Sequence, residues 1–466
     1  MDVAKIGKIG TMIAESTPKK NSLNKTKTAR VAPARLPEDQ VELGNNPAAD
    51  IQPLKPKAKW LFINYVAADC NLTKYQLTNL DQQEKVGSDP NTHLVAYVDV
   101  GNKPLPRPFV GDWKNCRGYY ITKDDTPNEI KSEMFEDFGR VDMSSPDTLQ
   151  KFIVDAIKRF PAEHVAVILN DHGAGFAGAM ADESDGSGIM STPNIGKAFK
   201  GAVAETGKKI DIIGFDACLM AEGEVAYELK DSGKFLLASE ETEGAAGWNY
   251  TTILGGNRLP QAISQVQKMM DRKIDVGPEE LARLVVDVCG KNQYSVPTFS
   301  AIDLSKMDTF KETVNEFAES IINADFNEKK QVKTAISRAE NYAGGYLSPY
   351  KDIRDLNHIA KNIGKVTADP ELKETSDRIQ EVINEVVIAN ESNLRSHPES
   401  AGISIYAPNT KRFGYNYEDL AFVKDSKWGE ALKSLASQPN PVNTPPSRPK
   451  HYPNGTEIKY RKEQPK

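Results

Sequence analysis

Short apolar runs alternate with amphipathic stretches through the middle of the chain. Apolar runs bounded by turn residues predict β-strands at 59–68, 92–101, 117–122, 164–171, 210–216 and 235–240. Apolar residues at helical spacing predict helices at 144–160, 191–206 and 219–230. Several strands are apolar throughout, which is typical of strands buried on both faces. The pattern therefore predicts an α/β fold with a mostly parallel sheet and helices on both of its faces.

The pattern changes after about residue 300. Helical periodicity then dominates and predicts helices at 303–324, 328–341, 353–364 and 370–393. A last strand is predicted at 401–408, and it either rejoins the main sheet or begins a small second one. We therefore expect a core over residues 58–300, followed by a mainly helical C-terminal part over residues 301–436.

Both ends of the chain differ in composition from the region between them. Residues 1–57 and 437–466 are rich in Lys, Pro and Asn, and we expect them to form disordered basic tails. No segment approaches the roughly 18 unbroken apolar residues that a membrane span needs. Residues 1–16 lack the apolar run of a secretory signal. The expected compartment is therefore the cytoplasm by default, with the periplasm or secretion left open.

The net charge of −6 hides an uneven distribution. Residues 1–35 carry +6 and residues 447–466 carry +4, so the body between them carries −16. An acidic body argues against a nucleic-acid surface and favours basic ligands. The basic tails either contact nucleic acid or membrane, or serve only as flexible, solubilising segments, which is the commoner case.

Four widely spaced cysteines limit the chemistry that thiols can carry. Cys70, Cys116, Cys218 and Cys289 form no CxxC pair, so the spacing favours neither a structural zinc site nor a disulfide framework. Single cysteines of this kind are more often buried apolar residues than reactive groups. Cys289 falls in a predicted helix at 278–290, where we expect it to belong to the core.

Two polar residues follow consecutive predicted strands. His172 comes directly after strand 164–171, and Cys218 comes just after strand 210–216, with one helix between the two strands. Consecutive strands of a strand–helix–strand unit are usually neighbours, about 4.8 Å apart. Open α/β sheets bind ligands at the carboxyl ends of their strands. The spacing therefore predicts that His172 and Cys218 face each other across a cleft at this edge.

The local sequence suits nucleophilic catalysis by Cys218. The predicted helix 219–230 would place the thiol near a helix N-terminus, which favours the thiolate. His172 is then the candidate base or proton donor. The N–H groups of Gly173 and Cys218 are the candidate oxyanion hole. Each residue alone is more often structural, as a packed thiol or a hydrogen-bonded imidazole, but their matched placement favours catalysis.

Carboxylates lie close to the same edge. Asp216, two residues before Cys218, either caps the following helix or forms the floor of a pocket that pairs with a basic ligand. The segment 238–250 brings three glutamates towards this edge, or forms only a solvated loop. With Asp216, we take Ser239 and Glu241 as the predicted substrate-binding residues. The acidic loop 178–188 lacks EF-hand spacing and is either a flexible surface loop or a calcium site.

At these residues the chain resembles the clostripain family of cysteine peptidases, within the larger group that includes caspases, legumains and gingipains. The resemblance rests on "NDHGAGF" (170–176) and "DACLMAEGEVAYEL" (216–229). Weaker support comes from "VAADCNLTKY", "SAIDLSKM" and "GISIYAP". These stretches occur in order and cover most of residues 58–430.

The resemblance implies a caspase-like sheet and an endopeptidase that cleaves after Arg or Lys. His172 and Cys218 match the catalytic dyad, which acts through a thioester acyl-enzyme, and Asp216 matches the acidic residue of the primary specificity pocket. The implied partners are peptides or proteins with basic residues. No cofactor is required, although some members are activated by calcium.

The resemblance also implies self-cleavage, which many members undergo. Residues 173–194 contain no Lys or Arg, so a basic-specific enzyme has no target just after His172. We therefore expect the tails to be cut instead. The competing interpretation is a catalytically silent protein that keeps the fold for binding or as a scaffold. Nucleotide binding ranks low because no GxGxxG follows the first strand and no GxxxxGK[ST] is present.

Overall fold

The structure is a computed structural model that describes residues 51–111, 113–186, 188–253, 276–290, 295–342, 352–410, 413–414 and 416–437. Most of both predicted tails lies outside these residues. Residues 51–57, assigned to the N-terminal tail by composition, pack against the fold instead. The N–H of Leu54 donates to the carbonyl of Arg159 at 2.8 Å, and the Lys55 ammonium lies 4.4 Å from the Tyr120 ring centroid. Because Lys and Pro fill four of these seven positions, the composition gave no indication that this segment packs against the fold.

Up to residue 238 the chain is mostly strands, with helices between several of them. The strands are β1 Ala58–Ala67, β2 Thr92–Asp99, β3 Cys116–Tyr120, β4 Glu133–Gly139, β5 Ala162–Asn170, β6 Ala179–Asp182, β7 Gly188–Met190, β8 Ile210–Asp216, β9 Gly233–Ala238, β10 Thr298–Asp303, β11 Asn341–Tyr342, β12 Ile353–Asp355, β13 Val387–Ser392 and β14 Ser404–Tyr406. The α-helices are α1 Thr73–Glu84, α2 Pro146–Arg159, α3 Thr192–Thr206, α4 Gly223–Leu229, α5 Tyr250–Ile253, α6 Pro278–Gly290, α7 Met307–Asn323, α8 Phe326–Arg338, α9 Leu356–Val366, α10 Pro370–Val386, α11 Ala421–Asp425 and α12 Trp428–Ala436. Within these ranges no helix is both long and apolar enough to cross a membrane.

Nine strands form the main sheet, in the order β13-β10-β9-β8-β5-β1-β2-β3-β4. The five central strands, from β9 to β2, run parallel. Antiparallel strands complete both sides of the sheet. The predicted α/β fold with a mostly parallel sheet is confirmed, and so is the neighbouring placement of β5 and β8. Asn170 at the end of β5 pairs with Asp216 at the end of β8.

Both faces of the sheet are buried, which explains the continuous apolar runs. Along β1, Leu61, Ile63 and Tyr65 pack into one apolar cluster. The alternate residues Trp60 and Val66 pack into a second cluster on the other face. Each face is therefore covered by its own set of helices, as fully buried parallel strands require.

The C-terminal part departs from the prediction at two helices. The predicted helix 353–364 begins only at Leu356, because residues 353–355 form β12. The predicted helix 370–393 ends at Val386, and residues 387–392 form β13, which pairs antiparallel with β10. Val387 and Ile388 are β-branched and suit a strand, but they also extend the apolar period of the helix before them. The last strand, β14, lies in a small second sheet with β11 and β12. The strand predicted at 401–408 therefore belongs to a small second sheet and does not rejoin the main one.

Candidate active site

A pocket opens at the carboxyl edge of the main sheet, where β5 and β8 end. Its walls come from four places: the start of α1, the residues after β5, the residues after β8 and the loop after β9. The lining residues are Leu72, Gln76, Asn79, Asn170, Asp171, His172, Asp216, Ala217, Cys218, Glu243, Gly244, Ala245 and Gly247. The structure therefore brings His172, Cys218 and Asp216 to one pocket, as the crossover argument predicts.

His172 is half-buried at the mouth of this pocket. Its Nε2 lies 2.6 Å from Oδ1 of Asn71, so the amide orients the imidazole ring. Sequence reasoning missed Asn71. The information was present, because β1 neighbours β5 and the residues after β1 must therefore lie beside the residues after β5.

Gly173 packs directly against the backbone of Cys218. A Cβ atom at this position would overlap the carbonyl oxygen of Cys218 and lie 3.0 Å from its amide nitrogen. Only glycine allows the two chain segments to come this close. Among the described residues, no backbone carbonyl accepts a hydrogen bond from the N–H of Gly173 or of Cys218. Cys218 belongs to the pocket lining, whereas Gly173 lies directly behind it and outside the lining.

Cys218 lies in a turn and not at a helix N-terminus. The helix α4 begins at Gly223, whereas Leu219 adopts a left-handed conformation with φ of +67°. The predicted helix 219–230 was therefore wrong at its start, and so was the argument that a helix dipole favours the thiolate. Neither Leu219 nor its neighbours in the sequence are Gly or Pro, so the sequence did not indicate a turn or a left-handed residue here.

The surroundings of Cys218 favour the neutral thiol. The N–H of Glu243 donates to Sγ at 3.2 Å, and the thiol lies 3.8 Å from the Glu243 carbonyl. Burial, and then the negative charge of the Glu243 side chain, raise the pKa of Cys218 to about 12. In the absence of substrate the sulfur is therefore protonated at neutral pH.

Asp216 forms the floor of the pocket. Its Oδ2 accepts hydrogen bonds from Asn170 Nδ2 at 2.6 Å and from the Tyr250 hydroxyl at 2.9 Å, and its Oδ1 accepts one from the Trp248 N–H at 3.2 Å. None of these donors belongs to the following helix, so Asp216 does not cap it. Burial raises the pKa of its carboxyl to about 7.

Glu243 supplies a second buried carboxyl beside Asp216. Burial and the charge of Asp216 raise the pKa of Glu243 well above its ordinary value. Neither carboxylate oxygen accepts a hydrogen bond of normal geometry from the described residues, although the Trp248 indole is close enough to oppose the rise in pKa. Among the described residues, no Lys or Arg forms an ion pair with Asp216 or Glu243. The pocket lining therefore contains both of these acidic side chains and no Lys or Arg.

The structure does not place the other two predicted substrate-binding residues in the pocket lining. Ser239 is fully buried, and its hydroxyl bonds to the Thr298 hydroxyl at 2.9 Å. The Glu241 carboxylate accepts from the N–H of Thr242 at 2.7 Å and lies 4.0 Å from His397 Nε2. We therefore reassign the pocket carboxylate from Glu241 to Glu243. Composition indicated an acidic segment but not which of its residues faces the cleft.

The acidic loop 178–188 contains a hairpin built on Asp182. Its Oδ1 accepts hydrogen bonds from the N–H groups of Ser184, Asp185 and Gly186, at 2.8 to 3.2 Å. Its Oδ2 accepts one from the N–H of Met143 at 3.0 Å. The Asp182 carboxylate therefore holds the turn of this hairpin in place.

The remaining cysteines lie away from the pocket lining. Cys116 and Cys289 are buried in the two apolar clusters, as predicted for Cys289. Burial raises the pKa of both thiols well above the ordinary value. Cys70 follows β1 and contacts Asp171.

Comparisons with known proteins agree with this architecture. The sequence model of the clostripain family matches residues 64–435. Clostripain of Hathewaya histolytica is 23% identical over 394 residues, which cover 74% of this chain and 74% of that protein. Among solved structures, the secreted cysteine protease iotapain of Bacteroides thetaiotaomicron has a TM-score of 0.59 at 14% identity and covers 80% of this chain and 100% of its own. An inactive protease zymogen of Parabacteroides distasonis has a TM-score of 0.54 at 18% identity, over 79% and 98% of the two chains. At these identities the solved structures establish the fold.

Proposed function

Because the chain belongs to the clostripain family and is a cysteine peptidase, we propose that it is an endopeptidase that cleaves after Arg or Lys through Cys218 and His172. One observation carries the specificity. Two buried carboxyls, Asp216 and Glu243, line the pocket beside Cys218 and have no cationic partner among the described residues. Buried carboxylates without a countercharge are costly, and a guanidinium or ammonium group of the substrate offsets that cost.

In the proposed reaction Cys218 attacks the peptide carbonyl next to the basic residue. His172 takes the thiol proton, and the sulfur bonds to the carbonyl carbon to give a tetrahedral oxyanion. When this collapses, the C–N bond breaks and His172 gives the proton to the leaving amine, which leaves a thioester on Cys218. A water molecule, deprotonated by His172, then attacks the thioester and releases the acid and the free thiol.

The proposed oxyanion hole is formed by backbone alone. The N–H groups of Gly173 and Cys218 have no backbone acceptor among the described residues, and the two residues pack against each other. Donors held in place by packing need no rearrangement when charge develops on the carbonyl oxygen. This arrangement supports their assignment as the two donors.

The pocket must widen before a substrate side chain enters. Its free volume is about 30 Å³, which is room for only a few water molecules. The segment from Glu243 to Gly247 forms the wall next to Cys218 and includes two glycines. Gly247 has a φ of +56° and packs against the Asp216 carboxylate. We propose that this segment moves to admit the basic side chain.

The proposed specificity also explains how a poorly acidic thiol becomes reactive. The negative charges of Glu243, Glu241 and Asp216 contribute to raising the pKa of Cys218. A basic side chain bound between the two carboxyls offsets these charges and so lowers the pKa of the thiol. Binding of the correct substrate is thereby coupled to formation of the nucleophile.

Fluorogenic peptides ending in Arg, Lys, Asp or Asn test the proposal. We expect thiol-dependent cleavage after Arg and Lys, with Cys218→Ala inactive and a His172→Ala variant reduced by at least about 100-fold. Preference for Asp or Asn would refute the role of the two carboxyls while leaving the dyad in place. Full activity of the Cys218→Ala chain would refute the dyad itself.

Self-processing, calcium activation and export are further parts of the proposal. We propose cleavage in the Lys- and Arg-rich tails, within residues 1–50 or 438–466. Mass spectrometry of the intact chain beside its Cys218→Ala variant tests this, because fragments from the intact thiol alone would identify the cut sites. Activity with and without a calcium chelator tests activation. The cytoplasmic default has no support here, whereas the description of iotapain as secreted supports export, which fractionation of the producing cells would test.

A further inference from the structure

A second set of reactive side chains begins in the pocket lining and extends to the end of β1. It consists of Cys70 after β1, and Asp171 and His172 after β5. One potential ligand atom from each residue lies within 4.8 Å of the other two. Because β1 and β5 are neighbouring parallel strands, their carboxyl ends bring these three residues together.

Packing and hydrogen bonds hold Cys70 and Asp171 in place. The Cys70 thiol donates to Asp171 Oδ1 at 3.1 Å, and the Leu72 N–H donates to Sγ at 3.3 Å. Oδ2 of Asp171 accepts from the Ala181 N–H at 2.6 Å. Cys70 is 8% exposed and Asp171 is 3% exposed. Both side chains are therefore already ordered, so binding a ligand would cost them little conformational entropy.

The buried Asp171 has no strong cationic partner. Among the described residues no Lys or Arg forms an ion pair with it, and its two oxygens accept from the Cys70 thiol and the Ala181 N–H. A buried carboxylate next to a thiol and an imidazole forms a mixed oxygen, sulfur and nitrogen ligand set, which suits a divalent cation of intermediate softness. His172 and Asp171 also line the pocket, so an ion has a path from solvent.

We propose that Cys70, Asp171 and His172 bind a divalent cation of the zinc class, and that the bound ion inhibits the peptidase by occupying His172. One thiolate, one imidazole and one carboxylate are zinc ligands, whereas calcium and magnesium require oxygen ligands throughout. The inhibitory part rests on the function proposed above, but the binding does not.

The separations fit such an ion after a small adjustment. Bonds of about 2.0–2.3 Å at tetrahedral angles keep zinc ligand atoms roughly 3.5 Å apart. The pair from Cys70 to Asp171 is already at 3.1 Å, so the shift falls mainly on the half-buried His172. When the ion binds, Cys70 loses its proton to solvent and His172 coordinates through a ring nitrogen in its neutral form. The fourth coordination position of the ion stays open to water in the pocket. His172 must either break its hydrogen bond to Asn71, or bind the ion with one ring nitrogen and Asn71 with the other.

Cobalt(II) titration of the full-length Cys218→Ala chain tests the binding without peptidase activity. Cobalt replaces zinc and gives a sulfur-to-cobalt charge-transfer band only when a thiolate binds it. We expect one cobalt per chain with this band, displaced by one equivalent of zinc. Adding Cys70→Ala should abolish the band, whereas adding the matched substitution Cys116→Ala, at another buried cysteine, should leave it unchanged.

Adding His172→Ala instead guards against a Cys70 variant that fails to fold, because His172 is half-buried and outside the core. It should weaken cobalt binding by more than about tenfold. No band in the Cys218→Ala chain, or a band that survives Cys70→Ala, would overturn the site. These outcomes are independent of whether the chain cleaves after Arg or Lys.

Zinc inhibition of the chain with an intact Cys218 tests the regulatory part. Each variant is compared with its own rate in the presence of a zinc chelator. We expect Cys70→Ala to raise the zinc concentration for half-inhibition by more than about tenfold, and Cys116→Ala to leave it unchanged. Equal inhibition of both variants would show that zinc acts on the dyad directly, and would refute control through Cys70.

Discussion

Gly173 holds the end of β5 against the turn that carries Cys218, so its missing side chain is a requirement of the site. Gly173→Ala would force the Cys218 carbonyl and the candidate oxyanion donors apart. A displacement of about 1 Å at such a position costs on the order of 100-fold in rate. We therefore expect kcat/KM to fall by about that factor.

Gly364→Ala, in α9, is the matched control. A Cβ there would make only ordinary contacts, 3.6 Å from Ser376 Cβ, and alanine favours the helix. It should leave kcat/KM unchanged. If Gly173→Ala retained full activity with an unchanged melting temperature, the oxyanion assignment would be wrong.

Glu243 and Glu241 provide a test of which carboxyl faces the substrate. Glu243→Gln should lower kcat/KM for Arg and Lys substrates by about tenfold or more, since a hydrogen bond to a charged group contributes roughly 1.5–3 kcal/mol. Glu241→Gln, two residues away and outside the pocket lining, should change it by less than about threefold. A larger effect at Glu241 would restore the assignment made from the sequence.

The coupling between the pocket and the Cys218 thiol can be measured without a peptide substrate. A short alkylguanidinium ion should accelerate alkylation of Cys218 by iodoacetamide, because each unit by which the thiol pKa falls raises the thiolate fraction about tenfold. The uncharged alkylurea of the same shape should not accelerate it. The effect should also disappear in Asp216→Asn. Equal acceleration by both compounds would mean that pocket opening, and not charge, limits the reaction.

At the scale of elements, the loop after β9 distributes neighbouring side chains to different parts of the molecule. Ser239 bonds to β10 and Glu243 lines the pocket, whereas Glu240 points to the C-terminal part. Oε2 of Glu240 accepts from the Tyr342 hydroxyl at 3.2 Å and from the Gly402 N–H at 3.0 Å. The loop that carries Glu243 is therefore anchored by residues distant in sequence.

Tyr342→Phe tests this anchor. It removes one donor to a buried carboxyl, and we expect the free energy of unfolding to fall by about 1 kcal/mol, measured as a shift of the urea midpoint. Tyr75→Phe, at a position that is 43% exposed, should produce no shift. An unchanged midpoint for Tyr342→Phe would indicate that the other donors compensate fully.

Sequence patterns predicted the elements whose burial is regular and missed those whose burial depends on distant partners. The strands β5 and β8 are apolar on both faces, so their position, order and neighbourhood followed from the pattern. The helix α1 buries polar residues such as Gln76 and Glu84, so it lacks an apolar stripe and was missed. The direction of Glu243 and the left-handed Leu219 depend on contacts with other segments, which a local pattern does not contain.

At the scale of the whole molecule, buried carboxyls join the catalytic sheet to the C-terminal part. Glu222 and Glu224 at the start of α4 are fully buried, and Oε1 of Glu224 accepts from the Tyr417 hydroxyl at 2.8 Å and the Tyr406 N–H at 3.1 Å. Glu240 and Asp355 form a similar buried pair. The acidic body of the chain is therefore partly internal, and its charge depends on pH.

These acids make the stability of the chain fall as pH rises. Burial raises the pKa of Glu224 and of Asp355 to about 7, and raises that of Glu222 well above its ordinary value. In the unfolded chain the same groups titrate near 4. The folded state therefore binds more protons between these values, and the stability that the protonated acids contribute is lost as pH rises towards 7.

We expect the thermal midpoint to decrease between pH 5 and pH 8. Desolvation lowers the pKa of buried His93 and half-buried His358, and these two histidines act in the opposite direction at the acid end. Glu222→Gln keeps the shape of the protonated acid but does not ionise, so its midpoint should decrease less steeply with pH. Glu280→Gln, at an exposed position, should follow the unsubstituted chain. Parallel curves for all three proteins would show that the buried pair on α4 does not ionise within this range, and the pH dependence would then have to arise from the other buried carboxyls.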